Sequence, residues 1–277
     1  MPTNYPIGVF DSGYGGLTVL KEIISKLPAY DYIYLGDNAR APYGVRSFET
    51  VYHYTLECVQ WLFQQNCSLV ILACNTASAK ALRSIQQKDL PLMKSEKRVL
   101  GVIRPTSEII GTFTKTNSVG ILATTGTVQS ESYILEIEKF FPEIKIYQEA
   151  CPMWVPLVEN NEYNNEGADY FIQKHLKNIL DKGENIDTLL LACTHYPLLK
   201  DEIEKYLPDG ITLLSQGEIV ANSLADYLER HPEIAGKCSK GGKRSFFTTY
   251  STQDFDSHGS MFFGEPVNSK HIDLVDN

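Results

Sequence analysis

The sequence predicts an α/β fold of mainly parallel sheets flanked by crossover helices, built as two closely packed domains. Three observations carry this reading. Short aliphatic runs alternate with stretches of helical periodicity over most of the chain. The aliphatic runs lack polar alternation, as strands buried on both faces do. A strand-end pattern in the first half returns in the second.

Ile7 to Phe10 is the first aliphatic run, followed by a Gly-rich turn, Ser12 to Gly16, and a helix from Leu17 to Leu27. Tyr32 to Leu35 is the second strand. Phe48, Val51, Tyr52, Val59, Leu62 and Phe63 fall at helical spacing, which predicts a helix over 47–65. Leu69 to Ala73 is a compact strand. Further strands are expected near 99–103, 118–123, 144–149, 187–192 and 211–214. The helices between and after them are expected near 76–87, 105–113, 130–141, 165–181, 198–206 and 217–229. After Glu233 the pattern weakens, and Gly236 to Phe247 reads as a loop and an edge strand. The charged stretch Lys94 to Arg98 and the turn Leu207-Pro208-Asp209-Gly210 mark domain junctions. They divide the chain into 1–97 plus 211–277 and an inserted 98–210.

The chain has 277 residues, enough for a large core, with 43% hydrophobic and 21% charged residues. A net charge of −9 gives no basis for binding phosphate backbones, so no nucleic-acid partner is expected. The N-terminus lacks the basic and apolar regions of a signal peptide. No apolar run approaches the roughly 20 residues that cross a bilayer. A cytoplasmic protein with no membrane partner is expected. The six cysteines include no Cys-x-x-Cys pair and no zinc-finger spacing, so neither a metal site nor a disulfide framework is expected. Buried, inert thiols are the ordinary reading of most of them.

Two of the six stand in matched contexts. Val70-Ile71-Leu72-Ala73-Cys74-Asn75-Thr76 resembles Leu189-Leu190-Leu191-Ala192-Cys193-Thr194-His195. Each is an aliphatic strand ending in Ala-Cys, then two polar residues before a helix. Upstream, Ile7 to Gly13 parallels Val119 to Thr125 at a similar distance from its cysteine. Ligands in open α/β sheets bind beyond the carboxyl ends of strands, where both cysteines sit. N–H groups and hydroxyls there favour a thiolate and can receive a carboxylate. Packing at a strand end remains open for each cysteine alone, and helix capping for Asn75, Thr76, Thr194 and His195. Gly13-Tyr14-Gly15-Gly16 does not fit a dinucleotide fingerprint; it is a tight turn or an anion-binding nest.

At these residues the chain resembles the glutamate racemases of the aspartate/glutamate racemase superfamily. The matching stretches are Gly8 to Leu20, Tyr34 to Gly44, Ala73 to Ser78 and Leu191 to Leu198, with weaker matches at Ala150 to Glu159 and Phe246 to Tyr250. The resemblance implies two pseudo-symmetric α/β domains with the active site between them. It implies interconversion of L- and D-glutamate without a cofactor, supplying D-glutamate for peptidoglycan, commonly in a homodimer. Carried across, Cys74 and Cys193 are the thiol pair, Asp11 supports Cys74, and Glu159 and His195 support Cys193. Substrate contacts are expected from Asp11, Ser12, Tyr43, Gly44, Asn75, Thr76, Thr125, Thr127, Thr194 and His195, with Thr124 in the same hydroxyl-rich turn.

The chain departs from the family pattern at two places, Arg104-Pro105-Thr106 and Ser215-Gln216. Both concern loop shape rather than a catalytic group. Three other readings compete with a glutamate racemase. An aspartate racemase would use the same thiols. A non-catalytic amino-acid binder would not need them, and a redox sensor would need no pair.

Overall fold

Residues 5–93 and 96–274 are described by the structure, a computed structural model. Lys94 and Ser95, which begin the charged stretch at the expected junction, lie outside the described residues. So do residues 1–4, on which the signal-peptide reading rested. In chain order the strands are Ile7–Asp11 (β1), Tyr32–Gly36 (β2), Leu69–Leu72 (β3), Arg98–Gly101 (β4), Ser118–Ala123 (β5), Lys145–Ala150 (β6), Thr188–Ala192 (β7), Thr212–Ser215 (β8), Arg244–Thr248 (β9) and Ser269–His271 (β10).

They form two sheets, β10-β9-β2-β1-β3-β4 and β6-β5-β7-β8, with every pairing parallel. The order β2-β1-β3-β4 of the first recurs as β6-β5-β7-β8 in the second. The sequence repeat is therefore a structural one: β1 corresponds to β5, and β3 to β7. Each sheet reverses its strand order beside its first strand, between β1 and β3 and between β5 and β7. The carboxyl end of such a switch point opens a crevice between loops running in opposite directions. Asp11 and Cys74 end the first pair, Ala123 and Cys193 the second.

The central strands read as unbroken aliphatic runs because helices cover both faces. Every residue of β1, β3, β5 and β7 is buried. Leu190, fully buried in β7, illustrates the stakes: truncation to Ala would cost about 2–5 kcal/mol. The sheet edge is different, since most of β6 is only half-buried and its sequence, Lys145 to Ala150, is mixed.

Three expectations need correction. The junctions at 98 and 211 are each displaced by one strand. β4 pairs with β3 in the first sheet, and β8 pairs with β7 in the second. An aliphatic strand next to a junction fits either sheet by composition, and only its partner decides. The 244–248 strand is not at the edge, because β10 pairs along its far side. The stretch after it also holds a helix, Thr252–Phe263, capped by the Ser251 hydroxyl on the Asp254 N–H and closed by Gly264 at φ 82°. Finally, the helix expected over 76–87 is interrupted: Asn75–Lys80 is followed by a short turn and a π-helical segment, Ile85–Asp89.

The returning helix Gly217–Arg230 packs on Gly16–Lys26 and so ties the second crossover to the first sheet. Gly217 permits it, since a Cβ there would stand 2.7 Å from Glu22 Cγ. Among the described residues, no helix is long and apolar enough to cross a membrane.

Candidate active site

β1 delivers Asp11, which is fully buried. Its Oδ1 accepts the Gly13 N–H at 2.9 Å, and its Oδ2 accepts the Thr194 hydroxyl at 3.3 Å from the other sheet. Burial raises the pKa of this carboxyl above its ordinary value, opposed by the charge of His195 and by the Gly13 and Gly16 N–H groups. Among the described residues the carboxylate makes no hydrogen bond to Cys74. Its expected support of that thiol is therefore purely electrostatic, and its sign is to hold the proton on.

β3 delivers Cys74, which caps the helix Asn75–Lys80. The sulfur accepts the Ala77 N–H at 3.4 Å and lies 3.5 Å from the Ser12 hydroxyl. Burial, then the Asp11 charge, push the thiol up to about 12, while Ser12 and the Ala77 N–H pull the other way. A thiol here keeps its proton at neutral pH.

β7 delivers Cys193, and its surroundings differ. Its sulfur lies 4.0 Å from His195 Nδ1, and His195 Nε2 lies 2.9 Å from Glu159 Oε1 at the end of the helix Trp154–Glu159. Burial works to lower the pKa of this imidazole. The hydrogen bonds and charges of Cys193 and Glu159 outweigh it and raise the pKa to about 10. Phe262 meets the ring edge-on at 5.1 Å. Gly15 leaves room for this packing, since a Cβ at that position would collide with the Thr194 hydroxyl and the His195 ring.

Between the two strand ends lies a cavity of about 140 Å³. That is below the roughly 300–1,000 Å³ of sites for drug-sized ligands and suits a small metabolite. Cys74 and Cys193 line it, as do Ser12, Tyr43, Gly44, Asn75, Thr76, Thr125, Glu159, Thr194 and His195. Two expected contacts do not reach its wall. Asp11 stands behind Ser12, and Thr127 is fully buried within the first turn of the helix Thr125–Gln129.

Thr124 takes the position expected of Thr127. It caps that helix through the Thr127 N–H at 3.3 Å, and its hydroxyl meets Thr76 across the domains at 2.9 Å. Sequence reasoning also missed Cys151, Pro152, Val155 and Pro156, the apolar flank of the cavity. Cys151, like Cys58, Cys67 and Cys238, lies outside the matched strand ends. Its thiol lies 3.8 Å from the Glu149 carbonyl.

Tyr43 and Asn75, both expected substrate contacts, have their side-chain polar groups engaged within the protein. The Tyr43 hydroxyl donates to buried Asp37, which also receives Arg40 Nε at 2.7 Å and the Thr249 hydroxyl at 2.8 Å. The Gly44 carbonyl takes the Gly126 N–H at 2.8 Å, a further contact between the two halves. Asn75 uses both ends of its amide, to Gln216 and Tyr133.

Comparisons with known proteins show the family. A family model described as Asp/Glu/Hydantoin racemase matches residues 7–224. The chain is 40% identical to a glutamate racemase of Geobacter metallireducens, over 93% of this chain and 92% of that protein. It superposes on a glutamate racemase crystal structure from Bacillus anthracis with a TM-score of 0.88 at 34% identity, covering 98% of each chain. A glutamate racemase from Francisella tularensis, solved in complex with D-glutamate, gives 0.87 at 33% identity with the same coverage. With matched strand ends carrying a thiol each, and likeness over nearly the whole length, this chain belongs to the Asp/Glu/Hydantoin racemase family.

Proposed function

We propose that the protein interconverts L- and D-glutamate by passing a proton between two thiols on opposite sides of the α-carbon. The observation that carries this is the placement of Cys74 and Cys193 on equivalent strand ends, β3 and β7, both lining one small cavity. The relatives supply the substrate, since they are named glutamate racemases and one was solved with D-glutamate. The family resemblance supplies the biological role, provision of D-glutamate for peptidoglycan.

Racemisation removes the α-proton from one face and delivers another to the opposite face. In this reading Cys193 takes the proton of L-glutamate while Cys74 donates, and the roles exchange for D-glutamate. Cys74, held as a thiol by burial and Asp11, is set to donate. Beside Cys193, a protonated His195 offers positive charge to the sulfur that must become anionic, and Glu159 orients the ring. As the α-carbon loses its proton, negative charge gathers on the adjoining carboxylate. Hydroxyls of Ser12, Thr76, Thr124 and Thr194 and the N–H groups of the two Cys-containing turns are the donors available to it.

Each sheet with its covering helices is taken as one domain, with crossovers at Val102 and Gln216. Six free thiols and no disulfide among the described residues suit the cytoplasm. A homodimer rests on the family resemblance alone.

The direct test is a coupled assay of L-glutamate formation from D-glutamate without added cofactor, run beside aspartate. In deuterated water each product should carry solvent deuterium at the α-carbon. Dependence on pyridoxal phosphate, or a product without solvent deuterium, would overturn the two-thiol reading. Faster turnover of aspartate would move the substrate, not the mechanism.

A further inference from the structure

The chain passes between the sheets twice, after β4 at Val102 and after β8 at Gln216, and the two crossovers meet at one side chain. Gln216, 4% exposed, directs Nε2 at the Val102 carbonyl at 3.2 Å, the Thr106 hydroxyl at 3.0 Å and the Tyr133 hydroxyl at 2.6 Å. A carbonyl only accepts, so Val102 fixes which end of the amide is nitrogen. On the other end, Oε1 accepts Asn75 Nδ2 at 2.8 Å. Tyr133 completes the circuit by donating to Asn75 Oδ1 at 2.6 Å.

The three side chains thus form a closed ring, Gln216 to Tyr133 to Asn75 and back to Gln216, with each donor feeding the next acceptor. Such rings polarise their members in one sense and hold them more rigidly than separate pairs. Asn75 and Tyr133 are themselves buried, at 2% and 0% exposure. Thr106 and Gln216, one from each crossover, are hydrogen-bonded to each other.

We infer that Gln216 is a positioning residue: through its ring with Asn75 and Tyr133 it locks the Cys74 turn to the second domain and sets the separation of the two thiols. Asn75 directly follows Cys74 and opens the helix that this cysteine caps. Tyr133 and Thr106 belong to helices of the second domain, beside the sheet that carries Cys193. A proton relay across one carbon tolerates little error in that separation, since a displacement of about 1 Å can cost about 100-fold in rate.

The inference rests on the two-thiol reading, so its test has one readout that needs activity and one that does not. Gln216→Met keeps the volume and removes every hydrogen bond; Tyr133→Phe opens the ring at one atom. With glutamate, kcat should fall about 10- to 100-fold in Gln216→Met, with KM within about threefold, and about threefold to tenfold in Tyr133→Phe. Independently of turnover, the alkylation rate of Cys74 by iodoacetamide, followed by mass spectrometry, should rise at least about threefold as the turn loosens. A folded Gln216→Met with wild-type kcat and wild-type Cys74 alkylation overturns the inference. Should Gln216→Met fail to fold, the same two measurements on Tyr133→Phe decide. Should the wild-type chain not racemise glutamate, the functional reading fails and alkylation alone judges the positioning.

Discussion

Cys74 and Cys193 occupy equivalent places in a repeated fold, yet the protein equips them differently. The Cys74 sulfur is held by neutral donors, a helix N–H and the Ser12 hydroxyl, with the Asp11 carboxylate nearby. The Cys193 sulfur faces an imidazole that is itself tied to the Glu159 carboxylate. The repeat supplies symmetry of position, which a reaction across one carbon needs. Charge is distributed without symmetry: a carboxylate stands near one sulfur, and an imidazole faces the other. Topology and electrostatics are thus separate inheritances, and only the first is duplicated.

Removing either thiol should produce the largest effect. Cys74→Ala and Cys193→Ala are each expected to lose racemisation by on the order of 1,000-fold or more, measured by circular dichroism of glutamate. Near-normal turnover in either variant would break the comparison at its root, because a single thiol would then suffice.

His195→Asn comes next, with an expected loss of about 100-fold. L- and D-glutamate have equal free energies, so kcat/KM must fall equally in the two directions. The inequality is read instead in the α-deuterium isotope effect. It should grow for L-glutamate, whose proton goes to Cys193, and stay near wild type for D-glutamate. Equal growth in both directions would show that both thiols draw on His195 alike. Stability should report the same group: its pKa rises from 6.5 to about 10 on folding. The contribution is fully present below about pH 6.5 and lost as pH rises through about 10. In His195→Asn the unfolding free energy should therefore fall less steeply over that interval.

Asp11→Asn should separate activity from stability. The buried carboxyl has a raised pKa, so its charged form is a cost to folding at neutral pH. The variant is expected to melt higher at pH 8, with the gain shrinking toward low pH as the wild-type carboxyl protonates. Its turnover should fall, and the pH at which the Cys74 thiol titrates should move down. An unchanged Cys74 titration would show that Asp11 does not act on that sulfur.

Ser12→Ala should have the smallest effect. Its hydroxyl lies 3.5 Å from the sulfur, a long contact, and a loss of about threefold is expected. The Cys74 thiol should titrate at higher pH in this variant, and a downward shift would reverse the role assigned to Ser12.

Much of the fold was legible in the sequence where burial is uniform. Leu69 to Leu72 and Thr188 to Ala192 have no exposed position, so their composition alone announces central strands. Short elements hid because they complete fewer than two turns: Thr125–Gln129 and Trp154–Glu159 show no period. The helix Thr252–Phe263 does have a period, since Phe255, Gly259, Phe262 and Phe263 fall at helical spacing between Ser251 and Gly264. Within the site, the matched Ala-Cys strand ends were legible. The exchange of Thr127 for Thr124 was not, because which hydroxyl faces outward depends on where the helix begins.

By itself the sequence determined the alternation of strands and helices, the duplicated strand ends and the two thiols that terminate them. These are local properties, set by which positions are apolar and which residues can turn or cap. The tertiary structure decided which sheet claims β4 and β8, and which polar groups find one another. Gln216 meets Asn75 across 141 residues, and Thr194 meets Asp11 across 183. A buried polar group must find a partner wherever the fold supplies one, and nothing in the neighbouring residues says where that is.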